Sequence, residues 1–176
     1  IACTALVALS TAQAAAYNLT SDWSDTTNPN GAWAYQRAGA SFASTVSNWS
    51  GFGTAWADSA TSGFGFTPML LKYDGVGSEP IDAIVNDIVG HTQTNDGNAG
   101  AGNLSVRFTN PSAGTASVSG KVWDAHTSQD RDQAWEVWVD GVLSASGIVL
   151  GDGTEGRSNP DLFSLSGLSL AAGSIV

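Results

Sequence analysis

Cysteine is almost missing from this sequence, and its scarcity excludes two kinds of chemistry. The 176 residues contain a single cysteine, Cys3. One cysteine cannot form an intramolecular disulfide, and a chain of this length can bury enough core to fold without one. Cys3 also lies in an apolar N-terminal segment that we expect to be removed. We therefore expect neither disulfides nor thiol catalysis in the mature chain.

Basic residues are also few. Six Lys and Arg stand against sixteen Asp and Glu, which gives a formal net charge of −10. Nucleic acids and anionic membrane surfaces are bound through a cationic face, so we expect no nucleic-acid partner. The longest apolar run is shorter than the roughly 20 residues that a spanning helix needs, so we expect no membrane insertion within this sequence.

Helical periodicity is the third absence. Beyond the N-terminal region, no segment repeats apolar residues at helical spacing for three turns. Short alternating runs separated by Gly, Asn, Asp, Pro and Ser predict strands and turns instead. The sequence therefore predicts an all-β, antiparallel, jelly-roll-like β-sandwich, of the kind found in carbohydrate-binding modules and lectins. The predicted strands are 32–36, 69–73, 88–91, 103–109, 115–124, 134–139, 142–150 and 162–165.

Two of these strand pairs are predicted to form hairpins. Residues 103–109 and 115–124 flank a turn at Asn110-Pro111, and residues 134–139 and 142–150 flank Asp140-Gly141. Asp-Gly between two alternating runs is a strong signal for a two-residue turn. The stretch 41–67 is predicted to be a loop-rich insertion, and residues 80–87 are predicted to be a turn of helix or an irregular loop.

The N-terminal segment predicts a signal peptide, and the C-terminal segment predicts an incomplete domain. Residues 1–10 carry no charge and precede Ala12-Gln13-Ala14, the pattern of a signal-peptide core and cleavage site. We therefore predict that 1–16 is a partial signal peptide, that 17–176 is a single β-sandwich domain, and that the protein is secreted to the cell surface or beyond. Residues 171–176 resemble a turn entering another strand. The domain is thus predicted to be incomplete at the C-terminus, with an open edge that can self-associate.

Seven tryptophans give the candidate ligand contacts. Trp49 and Trp56 lie in the glycine-rich insertion, where an exposed indole can stack on a sugar ring. In the alternative interpretation they fix that loop to the sandwich. Trp135 and Trp138 lie on a predicted strand, where they either pack in the core or flank Glu136 on a concave face.

Catalytic and metal-binding signals are weak. Neither His91 nor His126 has a second ligand at zinc spacing, and no Gly-x-Ser-x-Gly motif is present. A glycosidase needs two carboxylates beside a cleft, and Glu136 is the one candidate on an aromatic-rich strand. We therefore expect no enzyme. No cofactor is required, although a loop and its border supply oxygen ligands suited to Ca²⁺. These candidate ligands are Asp152, Glu155 and Asp161. A solvated anionic loop is the alternative.

Two segments resemble a known family. Residues 22–35 read DWSDTTNPNGAWAY, and residues 106–115 read VRFTNPSAGT, followed by VSG at 118–120. The sequence resembles secreted bacterial jelly-roll domain proteins of the PEP-CTERM sorting type, which are surface proteins associated with exopolysaccharide. The resemblance implies a fold and a location but no catalytic residues. The expected function is binding of polysaccharide or another matrix component. A self-associating structural surface protein is the alternative, and a glycoside-active enzyme is the third.

Overall fold

The computed structural model describes residues 15–57, 68–77, 81–92, 103–126 and 131–176. Within these ranges the chain forms eleven strands, all paired antiparallel, and one short 3₁₀ turn at Trp49–Gly51. The strands are β1 (Trp33–Arg37), β2 (Ala40–Ser41), β3 (Ser44–Val46), β4 (Ala55–Ala57), β5 (Met69–Lys72), β6 (Ile88–His91), β7 (Leu104–Phe108), β8 (Gly114–Val122), β9 (Gln133–Val139), β10 (Val142–Val149) and β11 (Asp161–Leu170). The predicted all-β antiparallel class is confirmed. In these ranges there is no helix with the length and apolar character needed to cross a membrane.

The strands form four sheets, ordered β2-β1-β7, β3-β4-β5-β6, β9-β10 and β8-β11. The first two pack face to face over a core that includes Tyr35 of β1, Trp56 of β4 and Leu70 of β5. On its other face, the four-stranded sheet is covered by Trp49 and Phe52 from the 3₁₀ turn. Alternation along each strand thus supplies apolar side chains to both faces of this central sheet.

The two long ribbons in the C-terminal half contact each other through aromatic rings. Trp135 of β9 lies with its ring centroid 5.7 Å from that of Phe163 of β11. Each ring lies over a glycine of its neighbouring strand. A Cβ on Gly147 would come within 2.7 Å of the Trp135 ring, and one on Gly120 would collide with the Phe163 ring. These two glycines therefore make room for the rings that join β8-β11 to β9-β10.

One predicted hairpin is confirmed and the other is wrong. Asp140 and Gly141 have φ of 48° and 79°, as a type I′ turn requires, and they connect β9 to β10. By contrast, β7 pairs with β1, and β8 pairs with β11. The intervening turn crosses between sheets, and Asn110 within it makes backbone hydrogen bonds to Gly173 and Ser174 of the C-terminal loop.

One other prediction, the loop at 41–67, needs adjustment. The expected loop at 41–67 contains β3, the 3₁₀ turn and β4, while residues 58–67 lie outside the described ranges. Residues 81–87 are irregular and lead into β6, so the predicted strand at 88–91 is confirmed. The predicted signal peptide lies outside the described residues except for Ala15 and Ala16.

Candidate functional site

An exposed aromatic side chain lies on the outer side of the β9-β10 ribbon. Successive side chains of a strand point to opposite faces, so Glu136 and Trp138 share one face, and Trp135 lies on the other. The β10 residues directly opposite Glu136 and Trp138 are Ser146 and Leu143. We call the exposed surface the Trp138 face, and it consists of Ala134, Glu136, Trp138, Leu143, Ser146 and Ile148.

The indole of Trp138 is fixed in place although it is 46% exposed. Its Nε1 donates a hydrogen bond to Oε2 of Glu136 at 2.8 Å. The other carboxylate oxygen of Glu136 has no hydrogen-bond partner among the described residues. The Trp138 ring thus lies beside a carboxylate whose second oxygen is available to accept a hydrogen bond.

Aliphatic and hydroxyl groups surround this pair. Leu143 and Ile148 are 47% and 57% exposed, and Ser146 lies opposite Glu136. An amphipathic ligand such as a sugar ring needs an apolar plane for its C–H face and acceptors or donors for its hydroxyls. The Trp138 face offers all of these groups on a two-stranded antiparallel ribbon.

Trp135, also predicted as a ligand contact, lies on the opposite side of the ribbon. It packs on Phe163, and its Nε1 donates to Oδ2 of Asp161 at 2.8 Å. Trp135 and Trp138 are an odd number of residues apart, so an unbroken strand cannot present both rings on one face. The expected joint contribution of both tryptophans to one concave face is therefore wrong, whereas Glu136 and Trp138 do lie together.

The expected exposure of Trp49 and Trp56 is wrong. Trp49 is 0% exposed and Trp56 is 4% exposed, and each belongs to one of the two core clusters beside the central sheet. Trp56 is a strand residue of β4, with its Nε1 bonded to the carbonyl oxygen of Ser24 at 2.8 Å. Burial of these large rings fixes the segment to the sandwich, which was the alternative interpretation.

The three predicted calcium ligands are engaged in separate interactions. Asp152 accepts a hydrogen bond from the Thr154 N–H at 2.9 Å, and Glu155 accepts one from the Leu150 N–H. Asp161 accepts from the indole of Trp135. No group of three or more His, Cys, Asp or Glu within the described part of the chain is arranged to hold a metal ion. Calcium binding stays a prediction.

A polar junction that the sequence did not reveal joins the two halves of the chain. Nε of Arg157 lies 2.7 Å from Oδ2 of Asp87, and the Arg157 N–H donates to Oδ2 of Asp82 at 2.6 Å. The indole of Trp123 donates to the Asp82 carbonyl oxygen at 2.7 Å, and the Arg157 guanidinium lies 5.8 Å from its ring centroid. Burial opposes ionisation of Asp87, but the hydrogen bonds and charge of Arg157 hold its pKa below the ordinary value. The junction is best understood as structural.

Of the two histidines, His91 lies beneath the core aromatic Trp49, with ring centroids 6.2 Å apart. Burial lowers the pKa of His91, despite a contact of 2.7 Å between its Nδ1 and the Thr92 carbonyl oxygen. The unfolded chain therefore takes up this proton at a higher pH than the folded chain does. Folding stability is unaffected well above about pH 6.5, and it falls as the pH drops below that value.

We expect His91→Gln to flatten this pH dependence. A difference of one proton between the two states changes the unfolding free energy by at most about 1.4 kcal/mol per pH unit. Urea unfolding at several pH values on both sides of about pH 6.5 measures the slope. An identical slope in wild type and variant would show that other groups cause the acid sensitivity.

Comparison of the chain with protein-family models, curated proteins and solved structures finds no match in any of the three. Function must then be argued from the chemistry of the site, because a fold alone does not define an activity.

Proposed function

We propose that this chain is a secreted, non-enzymatic β-sandwich that binds polysaccharide at the cell surface or in the surrounding matrix. The Trp138 face is the proposed binding site. The observation that carries this proposal is the exposed indole of Trp138, held beside Glu136 by a 2.8 Å hydrogen bond.

The energetics of exposure support a binding role for this ring. A tryptophan side chain that stays 46% exposed forgoes part of the free energy that burial would give. A sugar ring stacked on the indole would cover that area, while its hydroxyls could donate to Glu136 or exchange hydrogen bonds with Ser146. The hydrogen bond to Glu136 restricts the rotamers of Trp138, which lowers the entropy cost of binding.

Binding is favoured over cleavage by the number of carboxylates. Glycoside hydrolysis uses two carboxyl groups on either side of the scissile bond. The sequences of β9 and β10 contain one carboxylate, Glu136, and it is already bonded to Trp138. Secretion is supported by the apolar N-terminal pattern of the sequence and by its resemblance to exported jelly-roll proteins.

We expect Trp138→Ala to weaken binding to an insoluble polysaccharide by about tenfold or more, because a stacked aromatic ring contributes roughly 1.5 kcal/mol or more. Pull-down of the purified chain on a panel of extracellular polysaccharides, with depletion from the supernatant as the readout, measures this change. Leu162→Ala is a matched control, because Leu162 is 74% exposed on β11, outside the Trp138 face.

Equal loss with both variants would indicate non-specific hydrophobic adsorption and contradict the proposed site. Failure of the wild-type chain to bind any polysaccharide would contradict the proposed function. Repeating the pull-down with EDTA tests the predicted calcium, since binding that requires a structural Ca²⁺ is lost on chelation.

A structural, self-associating surface protein is the second candidate, and an open strand edge favours it. Phe108 exchanges both of its backbone hydrogen bonds with Val176, at 2.7 and 3.0 Å. Alternation along β7 directs the N–H and C=O groups of Leu104 and Val106 toward the same edge. Those groups have no backbone partner among the described residues. Free edges of this kind can pair with another strand. Sedimentation that depends on protein concentration but not on added glycan would support this candidate.

A further inference from the structure

The charged residues of the hairpin that carries the Trp138 face are all acidic. The hairpin from Gln133 to Val149 contains the acidic residues Glu136 and Asp140 and no Lys or Arg. Arg131 precedes the hairpin at the end remote from Trp138, about 20 Å away at the rise of a β-strand. The face therefore presents negative charge next to an exposed ring, in a protein whose formal net charge is −10.

Three basic side chains of other elements have partners away from this hairpin. Arg157 is paired with Asp87, and the Lys121 ammonium lies 5.3 Å from the ring centroid of Trp123. Nζ of Lys72 contacts the carbonyl oxygen of Thr20. Anionic polymers such as polyuronates would therefore be repelled by the acidic residues of this hairpin.

The pair formed by Trp138 and Glu136 matches an ammonium group better than a neutral hydroxyl. A cation over an indole face is attracted by the negative potential of the ring. An ionised carboxylate only accepts hydrogen bonds, and its bond to an ammonium donor is about twice as strong as a bond between neutral groups. The free oxygen of Glu136 is adjacent to the exposed ring, so one ligand can use both features.

We propose that the ligand of the Trp138 face is a polysaccharide of amino sugars that carry free ammonium groups. This inference rests on the proposed function and specifies its ligand class by charge complementarity. One sugar ring stacks on Trp138, and its ammonium group donates to Glu136. Leu143 contacts the apolar part of the same polymer.

The test compares two oligosaccharides that share the same sugar backbone and differ in whether the amino group is a free ammonium or an uncharged acetamide. A glucosamine oligomer and its N-acetylated counterpart of the same length are titrated calorimetrically into the full chain, at a pH below the pKa of the amine. We expect the charged oligomer to bind about tenfold more tightly, a difference of roughly 1.4 kcal/mol. Added salt should reduce that preference because it screens the charges.

Glu136→Gln isolates the charge. The glutamine amide oxygen can still accept the Trp138 N–H, so the ring stays in place while the negative charge is removed. We expect the preference for the charged oligomer to fall to about threefold or less. Asp74→Asn is the matched control, because it removes one exposed charge from a loop outside the Trp138 face. It should change the preference by less than about twofold.

The outcomes separate this inference from the proposed function. Equal affinity for both oligomers, with both lost in Trp138→Ala, would leave the polysaccharide site intact and overturn the amino-sugar assignment. A charge preference that survives Glu136→Gln would overturn the assignment as well, since the attraction would then come from the protein as a whole. Absence of binding to these oligomers and to every polysaccharide in the pull-down would reject both proposals.

Discussion

Trp56→Ala should lower the free energy of unfolding by about 3–5 kcal/mol, enough to remove much of the stability of an ordinary domain. Trp56 is 4% exposed and lies between the two packed sheets, with its ring centroid 6.0 Å from that of Tyr35. Truncation to alanine removes most of the buried side chain and leaves a cavity that the surrounding strands cannot fully close.

A hydrogen bond adds to the cost. The Trp56 Nε1 donates to the Ser24 carbonyl oxygen at 2.8 Å, and the Ser24 N–H donates to the hydroxyl of Tyr35 at 3.0 Å. The two aromatic side chains thus hold both backbone groups of Ser24 and anchor the N-terminal segment over the core. Without the indole, the carbonyl oxygen of Ser24 loses that partner.

Urea unfolding followed by circular dichroism measures this loss. Trp56→Phe separates its two parts, because phenylalanine keeps an apolar ring and removes the N–H donor, so its cost should be smaller. Trp138→Ala is the matched surface control and should cost less than about 1 kcal/mol, since that ring is half exposed. Similar losses for Trp56→Ala and Trp138→Ala would contradict the assignment of one indole to the core and the other to the surface.

The contrast between these two tryptophans shows where sequence reasoning reaches its limit. Strand positions depend on local patterns of apolar residues, either alternating or in short runs, so β1, β5, β9 and β10 could be predicted. Period-two spacing also places Glu136 and Trp138 on one face, but it cannot say whether that face points inward. Burial of Trp56 depends on sheet packing against Tyr35, which lies far away in the sequence. No local pattern distinguishes its indole from an exposed one.

Local sequence patterns also could not predict which strands pair with each other. The turn after β7 has the residues of a hairpin, yet β8 pairs with β11 rather than with β7. That partner is selected by contacts made by distant residues, such as Phe163 packed over Gly120. A turn signal predicts a change of chain direction, but long-range packing decides which strand lies alongside. The prediction of the Asp140-Gly141 hairpin was correct because its two-residue turn type fits the register in which β9 and β10 pair.

Asn28→Asp should be the second strongly destabilising substitution, at about 2–4 kcal/mol near neutral pH. The Asn28 amide nitrogen donates to the carbonyl oxygens of Tyr35 and Phe42, each at 2.9 Å, and its oxygen accepts the Tyr35 N–H at 2.9 Å. This side chain therefore binds the backbone at the middle of β1 and at the residue just after β2, as a neighbouring strand would. These three hydrogen bonds explain why an amide side chain occupies position 28, the first residue of the Asn-Pro-Asn-Gly sequence at 28–31.

Aspartate has nearly the same shape but no donor when it is ionised. Its carboxylate would keep the bond from the Tyr35 N–H but place negative charge against two carbonyl oxygens. That environment disfavours the charged form, so the pKa of the new carboxyl in the folded state should lie above its unfolded value. The deficit is then largest at neutral pH, and it shrinks as the pH falls and the carboxyl becomes a donor again.

Urea unfolding of Asn28→Asp at neutral pH and near about pH 4 tests both the size and the sign of this effect. Asn110→Asp is the matched control, because the Asn110 amide also donates to two carbonyl oxygens, those of Ser112 and Ala171, but does so at the surface. Water can replace those bonds, so its cost should be less than half as large. A deficit for Asn28→Asp that grows at acidic pH, relative to wild type at the same pH, would show that ionisation of the new carboxyl is not its cause.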